Sequence, residues 1–403
     1  MKGNAMNKNN RKISQVFKSG ISKAAMKFMR AIFYKLKNLE NWQGYADGSV
    51  TLYKQEKEYV NAVFAMIAII IDCINNKRDV DLDSFIAYVV LRVIRKACMW
   101  DLKPDVKKKL IAKWGNFENA VDHYVRELIE EEAGKEFSDA LHFLADQLPE
   151  DQKAFYDAAK YCSNLIDYDT LCESFVINNK ENIQDELKRD IAGCNVDREV
   201  ISKLYGIVVQ ISNARNTLRW QGCGATTRCS ISAHMLETAV FGWLMAIDRN
   251  HTGGFKPLVP QQVFAVGLLH DFPELWTNDI PSNCKRAIAD ELHNLREVSE
   301  ELEREALEEN FYSIFSEDVK VYFMTYIMLE NIDDANLHTF IKSADYFAAD
   351  CECYWMSVDG SRNSLFYNIM LNSWLEPEKR TPATYALLEE MITDLESKHF
   401  LDP

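Results

Sequence analysis

The sequence predicts an all-α fold built as two helical units in tandem, and three observations predict it. Apolar residues recur at three- and four-residue spacing through stretches such as 299–327 and 384–395, the pattern of amphipathic helices. Glycine-rich hairpin signals, which would mark paired strands, are scarce. The chain also reads as two copies of one unit at an offset of 178 residues. With 403 residues, 47% of them hydrophobic, it can fill two cores of good size and is too apolar to be disordered.

Taken in order, residues 1–39 hold ten Lys or Arg and no acid, which leaves 36 basic against 61 acidic residues in the rest. A basic arm can steer toward nucleic acid or an anionic membrane. Phe17, Ile21, Met26, Phe28, Ile32 and Phe33 give this one something to bury, so an amphipathic helix over residues 16–39 is expected to pack on its own domain. A net charge of −15 argues against extended contact with a phosphate backbone, and nucleic acid is not an expected partner. Residues 60–74 form the longest apolar stretch, short for a membrane span and carrying Asp72; a buried core helix is expected, and no membrane span. The ten cysteines are scattered without a CxxC pair, and the N-terminus lacks the apolar region of a signal peptide, so reduced thiols and a cytoplasmic location are expected. The polar stretch 194–199 follows Gly193 and divides the chain into units 1–193 and 194–403. The turn-prone residues 251–257 separate two helices of the second unit, and the acidic run 290–310 reads as a solvated helix face.

The repeat rests on short anchors. Trp42-Gln43-Gly44 returns as Trp220-Gln221-Gly222, residues 101–107 lie over 279–285, and Asp167-Tyr168 lies over Asp345-Tyr346. Ala62-Val63-Phe64 matches Ala239-Val240-Phe241 one residue out of step, which implies a small indel.

Chemistry concentrates in the second copy. His270-Asp271 ends the apolar run 263–269, His234 lies upstream and Asp345 downstream. Two imidazoles and two carboxylates on segments that should be buried could bind a divalent metal, because buried polar groups need partners. A mixed nitrogen and oxygen set suits Mn²⁺, Co²⁺, Fe²⁺ or Ni²⁺, with Mg²⁺ or Zn²⁺ possible. Glu274 follows His270 by four residues and would share its face if the helix continued, although Pro273 removes a backbone donor in that turn. In the first copy Arg92 and Val93 stand where the second has His270 and Asp271, Glu56 or Lys57 stands opposite His234, Lys96 opposite Glu274, and Asn41 opposite Arg219. Cations in place of ligands repel a metal, so the first unit should be metal-free.

From Arg219-Trp220 through His234, His270-Asp271, Glu274 and Asp279-Ile280-Pro281 to Lys342 and Asp345, residues 205–355 resemble the HD-domain phosphohydrolases, within them the 5′-deoxynucleotidases of the YfbR type. The resemblance implies tandem helical HD bundles of which the first is degenerate. It implies His234, His270, Asp271 and Asp345 as ligands of one divalent metal ion. It also implies Glu274 as the residue that positions or activates the attacking water, Asp279 as an assistant at the substrate, and Arg219, Trp220 and Lys342 as substrate-binding residues. The implied reaction converts a deoxynucleoside 5′-monophosphate to nucleoside and phosphate. Triphosphate release from a dNTP, cleavage of a cyclic nucleotide, nucleotide sensing without turnover, and a nuclease directed by the basic arm remain open beside it. Ala233 departs from the pattern, which expects an acid before His234. Enzymes of this type are homodimers, so the first unit is expected to stand in for a partner subunit as an intramolecular pseudo-dimer.

Overall fold

A computed structural model describes residues 13, 15–41, 51–99, 104–174, 180–194, 196, 198–220, 228–253, 256–277, 295–329, 332, 334–359, 364–375 and 380–397. The expected all-α architecture is what the described residues show. The only sheet among them is a two-residue antiparallel ladder of β1 (Glu40–Asn41) with β2 (Leu52–Tyr53).

Before the expected junction lie α1 (Lys23–Lys37), α2 (Lys54–Asn75), α3 (Asp83–Met99), α4 (Pro104–Lys113), α5 (Phe117–Ala133), α6 (Lys135–Ala145), α7 (Glu150–Ser174) and α8 (Lys180–Gly193). After it come α9 (Arg198–Asn213), α10 (Ile231–Thr252), α11 (Pro260–Leu269), α12 (Glu274–Thr277), α13 (Leu295–Asn310), α14 (Glu317–Tyr326), α15 (Ala335–Val358), α16 (Ser364–Trp374) and α17 (Pro382–Ser397).

Two buried helices organise the molecule. On α2 the apolar run from Val60 to Ile70 is inaccessible, and α7, α9 and α10 pack around it. By length and composition α2 could cross a membrane, yet most of it lies inside the bundle. The second, α10, starts where the Ser230 hydroxyl accepts a hydrogen bond from Ala233 N–H, and it ends at Gly253 with φ +71°. α11 and α15 pack on α10, and α2 packs along its other side. One continuous apolar core therefore includes Tyr59, Phe64 and Phe85 from before the junction and Trp243, Phe264 and Phe347 from after it. Close packing of α11 on α10 depends on Gly267: a Cβ there would stand 3.0 Å from the Ala239 Cα.

The basic segment has its apolar stripe inside. Phe17, Ile21, Met26, Phe28, Ile32 and Phe33 are all buried. Its helix is shorter than the periodicity predicts, because Gly20 adopts φ +77° and Ser22 then caps Lys23–Lys37. The expected helix over 299–327 is also interrupted. Phe311 leaves the helical line to pack edge-on against Phe272, Phe315 and Phe323, and α14 starts afresh at Glu317. The repeat anchors 42–44, 101–103, 221–222 and 279–285 lie outside the described residues.

Candidate active site

Three helices and one pinned segment of the second unit bring the candidate residues together. His234 sits in the first turn of α10. His270 and Asp271 follow the end of α11, in a turn where Phe272 N–H bonds Leu269 O and Glu274 N–H bonds Asp271 O, each over three residues. Pro273, which has no N–H, closes that turn and α12 restarts at Glu274, so His270 and Glu274 do not share one continuous helix. Asp345 projects from the middle of α15. Arg219 arrives because residues 217–219 run antiparallel to 229–231: Arg219 N–H donates to Cys229 O at 2.8 Å and Ile231 N–H to Thr217 O at 3.0 Å.

The ligand atoms of His234, His270 and Asp271 lie within 4.8 Å of one another. His234 Nε2 is 3.0 Å from Asp345 Oδ1, and His270 Nε2 is 3.2 Å from Asp271 Oδ2 and 4.0 Å from Asp345 Oδ1. His270 Nδ1–H donates to Gly267 O at 2.8 Å, which leaves the Nε2 lone pair facing the carboxylates. That nitrogen is buried and makes no well-aligned hydrogen bond, although Asp271 Oδ2 lies 3.2 Å away, so a ligand shared by both would complete it. An orphaned imidazole nitrogen converging with two carboxylates and a second imidazole fits a divalent cation. The residues that would hold it are His234, His270, Asp271 and Asp345.

One residue of the cluster escapes a reading of the sequence. Glu352, two helical turns beyond Asp345 on the same face of α15, accepts the His234 Nδ1–H through Oε1 at 2.9 Å. Its Oε2 accepts the Trp220 indole N–H at 2.7 Å and lies 3.3 Å from Arg219 Nε. A carboxylate behind a ligating histidine fixes its tautomer and orientation. The signal was the seven-residue spacing from Asp345, obscured because Glu352 lies in an apolar, cysteine-flanked stretch.

Trp220 has φ +64°, a left-handed conformation that a bulky residue adopts only when its surroundings hold it there. The bond to Glu352 and the edge of Phe366, with ring centroids 5.9 Å apart, hold the indole in place. Arg219 lies over the same ring and is 3.7 Å from Asp271 Oδ2. Lys342 reaches Asp345 Oδ2 at 3.2 Å, while Glu274 is half-buried one turn beyond His270. Asp279 lies outside the described residues.

Electrostatics reflect this crowding. Burial and Arg219 push the His234 imidazole down, but Glu352 and Asp345 outweigh them and raise it to about 9. Asp271 and Glu352 are held below the usual carboxylate range despite burial, by His270 in the first case and by Arg219 and His234 in the second. Behind them burial, with Glu352 close by, pushes Glu237 up to about 7; it accepts a 2.6 Å hydrogen bond from Gln55 of α2.

A second buried cluster of charges gathers around Asp167. Lys57 Nζ stands 3.1 Å from Asp167 Oδ2, and His234 Nε2 stands 3.0 Å from Asp345 Oδ1. Asn41 donates to Asp167 at 2.9 Å, and Arg215 to its other oxygen at 2.7 Å.

No curated protein and no solved structure matches the chain. One family does, described as 5′-deoxynucleotidase YfbR-like, over residues 207–372, a span that contains every residue of the site from Arg219 to Glu352. The family points to a hydrolase of the HD type and generally binds a divalent metal. Residues 207–372 of this chain are thus similar to the YfbR-like 5′-deoxynucleotidase family, a match that leaves the first 206 residues unassigned.

Proposed function

We propose that the second unit is a metal-dependent phosphohydrolase that removes phosphate from deoxynucleoside 5′-monophosphates. The observation that carries this reading is the convergence of His234, His270, Asp271 and Asp345 beside the Arg219 guanidinium. A divalent ion bound there would polarise phosphoryl oxygens and make a bound water nucleophilic. Arg219 takes the phosphate, since its planar fork matches two phosphoryl oxygens and burial among carboxylates keeps it charged. Glu352 holds His234 and Trp220 in place without touching substrate. Glu274 orients the attacking water and accepts its proton, with Asp279 assisting. Trp220, fixed by its N–H, offers its ring to the sugar, where close packing disfavours a 2′-hydroxyl. Lys342 neutralises Asp345 and lies where it can meet a phosphate oxygen.

In this reading the chain is a tandem of a degenerate unit and an intact one, divided near residue 194, and α2 takes the place against α10 that a second subunit would otherwise occupy. The packing of α2 along α10 and the Gln55 bonds to Glu237 and to Ala233 O, at 2.6 and 3.1 Å, support it.

The test is phosphate release from dNMPs, NMPs, dNTPs and cyclic nucleotides with Mn²⁺ or Co²⁺, beside Asp271→Ala. Metal-dependent release of orthophosphate from dNMPs, abolished in the variant, is expected. Pyrophosphate or triphosphate as the product would reassign the substrate, and no turnover with bound metal would sink the enzyme reading.

A further inference from the structure

The centre of the first unit keeps the three-helix frame and reverses its charge. Where α10, α11 and α15 deliver metal-ligand types, α2, α3 and α7 deliver Lys57 and Glu58, Arg92 and Lys96, and Tyr156 and Asp167. Asp167 is neutralised by both Lys57 and Arg215. Glu58 accepts the Tyr156 hydroxyl and is the carboxylate that acts on both Arg92 and Lys96. Arg92 Nε is buried without a hydrogen-bond partner. Lys96, one turn further along α3, makes neither a hydrogen bond nor an ion pair with any described residue. Burial pushes Lys96 down to about 7 against the pull of Glu58, and Lys54, Arg92 and Lys57 push it the same way as burial.

Two cations one helical turn apart, with a single shared and already hydrogen-bonded carboxylate, are unfavourable inside a bundle unless an anion joins them. The small cavity beside Lys57 and Asp167 has room for about one water and no anion, whereas Arg92 and Lys96 are only part-buried and an anion can reach them from solvent. A tetrahedral dianion suits a guanidinium fork paired with a mobile ammonium. We propose that the α2–α3–α7 centre is a phosphate-binding site, without metal, for a phosphate-bearing anion: free phosphate or the phosphate of a nucleotide.

The test uses the full chain carrying Arg219→Met and Asp271→Ala, in EDTA, so that neither metal nor arginine can hold phosphate at the second centre. Binding of inorganic phosphate and of dAMP is measured by calorimetry on this parent and after adding Lys96→Met or Arg92→Met. Thermal melts with and without phosphate establish that each protein folds, and Lys96→Gln replaces the Met variant if that one does not melt cooperatively. Loss of a charge-assisted contact should weaken binding on the order of tenfold or more in each variant, and the phosphate-induced rise in melting temperature should vanish with it. Tighter binding of dAMP than of phosphate would name a nucleotide as the ligand; equal binding would name free phosphate. No anion binding to the parent, or equal binding in the parent and the Lys96 variants, would overturn the proposal.

Discussion

Replacing Glu352 by Gln asks whether a residue that would touch neither metal nor substrate governs both. In the wild type the two carboxylate oxygens divide their work: Oε1 takes His234 Nδ1–H at 2.9 Å and Oε2 takes Trp220 Nε1–H at 2.7 Å. Glutamine keeps the shape but offers one oxygen and one NH₂, so one of the two donors must face another donor. A hydrogen bond to a charged group contributes about 1.5–3 kcal/mol, and a buried donor left unmatched costs about 1–3 kcal/mol. The variant should therefore be destabilised by roughly 2–4 kcal/mol, within the spread of those contributions. Arg219, 3.3 Å from Oε2, also loses its nearest counter-charge and keeps Asp271 at 3.7 Å. Loss of a carboxylate behind a ligating histidine typically weakens metal binding about 10–100-fold. Cobalt titration by calorimetry, with urea unfolding of the metal-free protein alongside, reads both numbers. A folded Glu352→Gln protein that binds cobalt within twofold of wild type would refute the reasoning.

Gly267→Ala should lower stability by about 1–3 kcal/mol, because its Cβ would press on the Ala239 backbone at 3.0 Å and push α11 off α10; an unchanged melting temperature would count against that packing. Lys96 falls from 10.5 to about 7 on folding, so between those pH values the unfolded chain holds a proton that the folded chain lacks. Stability should rise with pH across that window, by on the order of a few kcal/mol, and Lys96→Met should flatten the rise. Urea denaturation of both proteins in phosphate-free buffer between pH 7 and 10 checks this, and parallel curves would reject it.

The all-α class, the burial of the basic segment's apolar stripe and the meeting of His234 with His270-Asp271 were legible because each rests on local pattern. Period and residue type carry that information directly. Helix ends were less legible. The break at Phe311 depends on Phe272, Phe315 and Phe323 gathering from three segments, which no window of sequence contains. Glu352 was missed for a related reason: its partners His234 and Trp220 lie 118 and 132 residues away. The salt bridge of Lys57 with Asp167 was hidden likewise, since 110 residues separate the two in the chain.

The two centres place equal burdens on the fold and answer them differently. A carboxylate at the middle of a long helix, Asp345 or Asp167, needs positive charge close by to stay ionised inside the protein. In the second unit His234 and Lys342 surround it, and a metal ion would add to them. Around Asp167 stand Lys57 and, from beyond the expected junction, Arg215, and both are covalently part of the chain. Asp167 therefore needs no metal to stay ionised. Arg215 ties Asp167 to the candidate site in sequence as well as in space: it is the middle residue of the 3₁₀ turn Ala214–Asn216, just ahead of Thr217, whose carbonyl pins α10, and of Arg219. Asp167 thus anchors, through Arg215, the segment that presents Arg219. On this argument the charges around Asp167 position Arg219 whether or not that cluster ever held a metal.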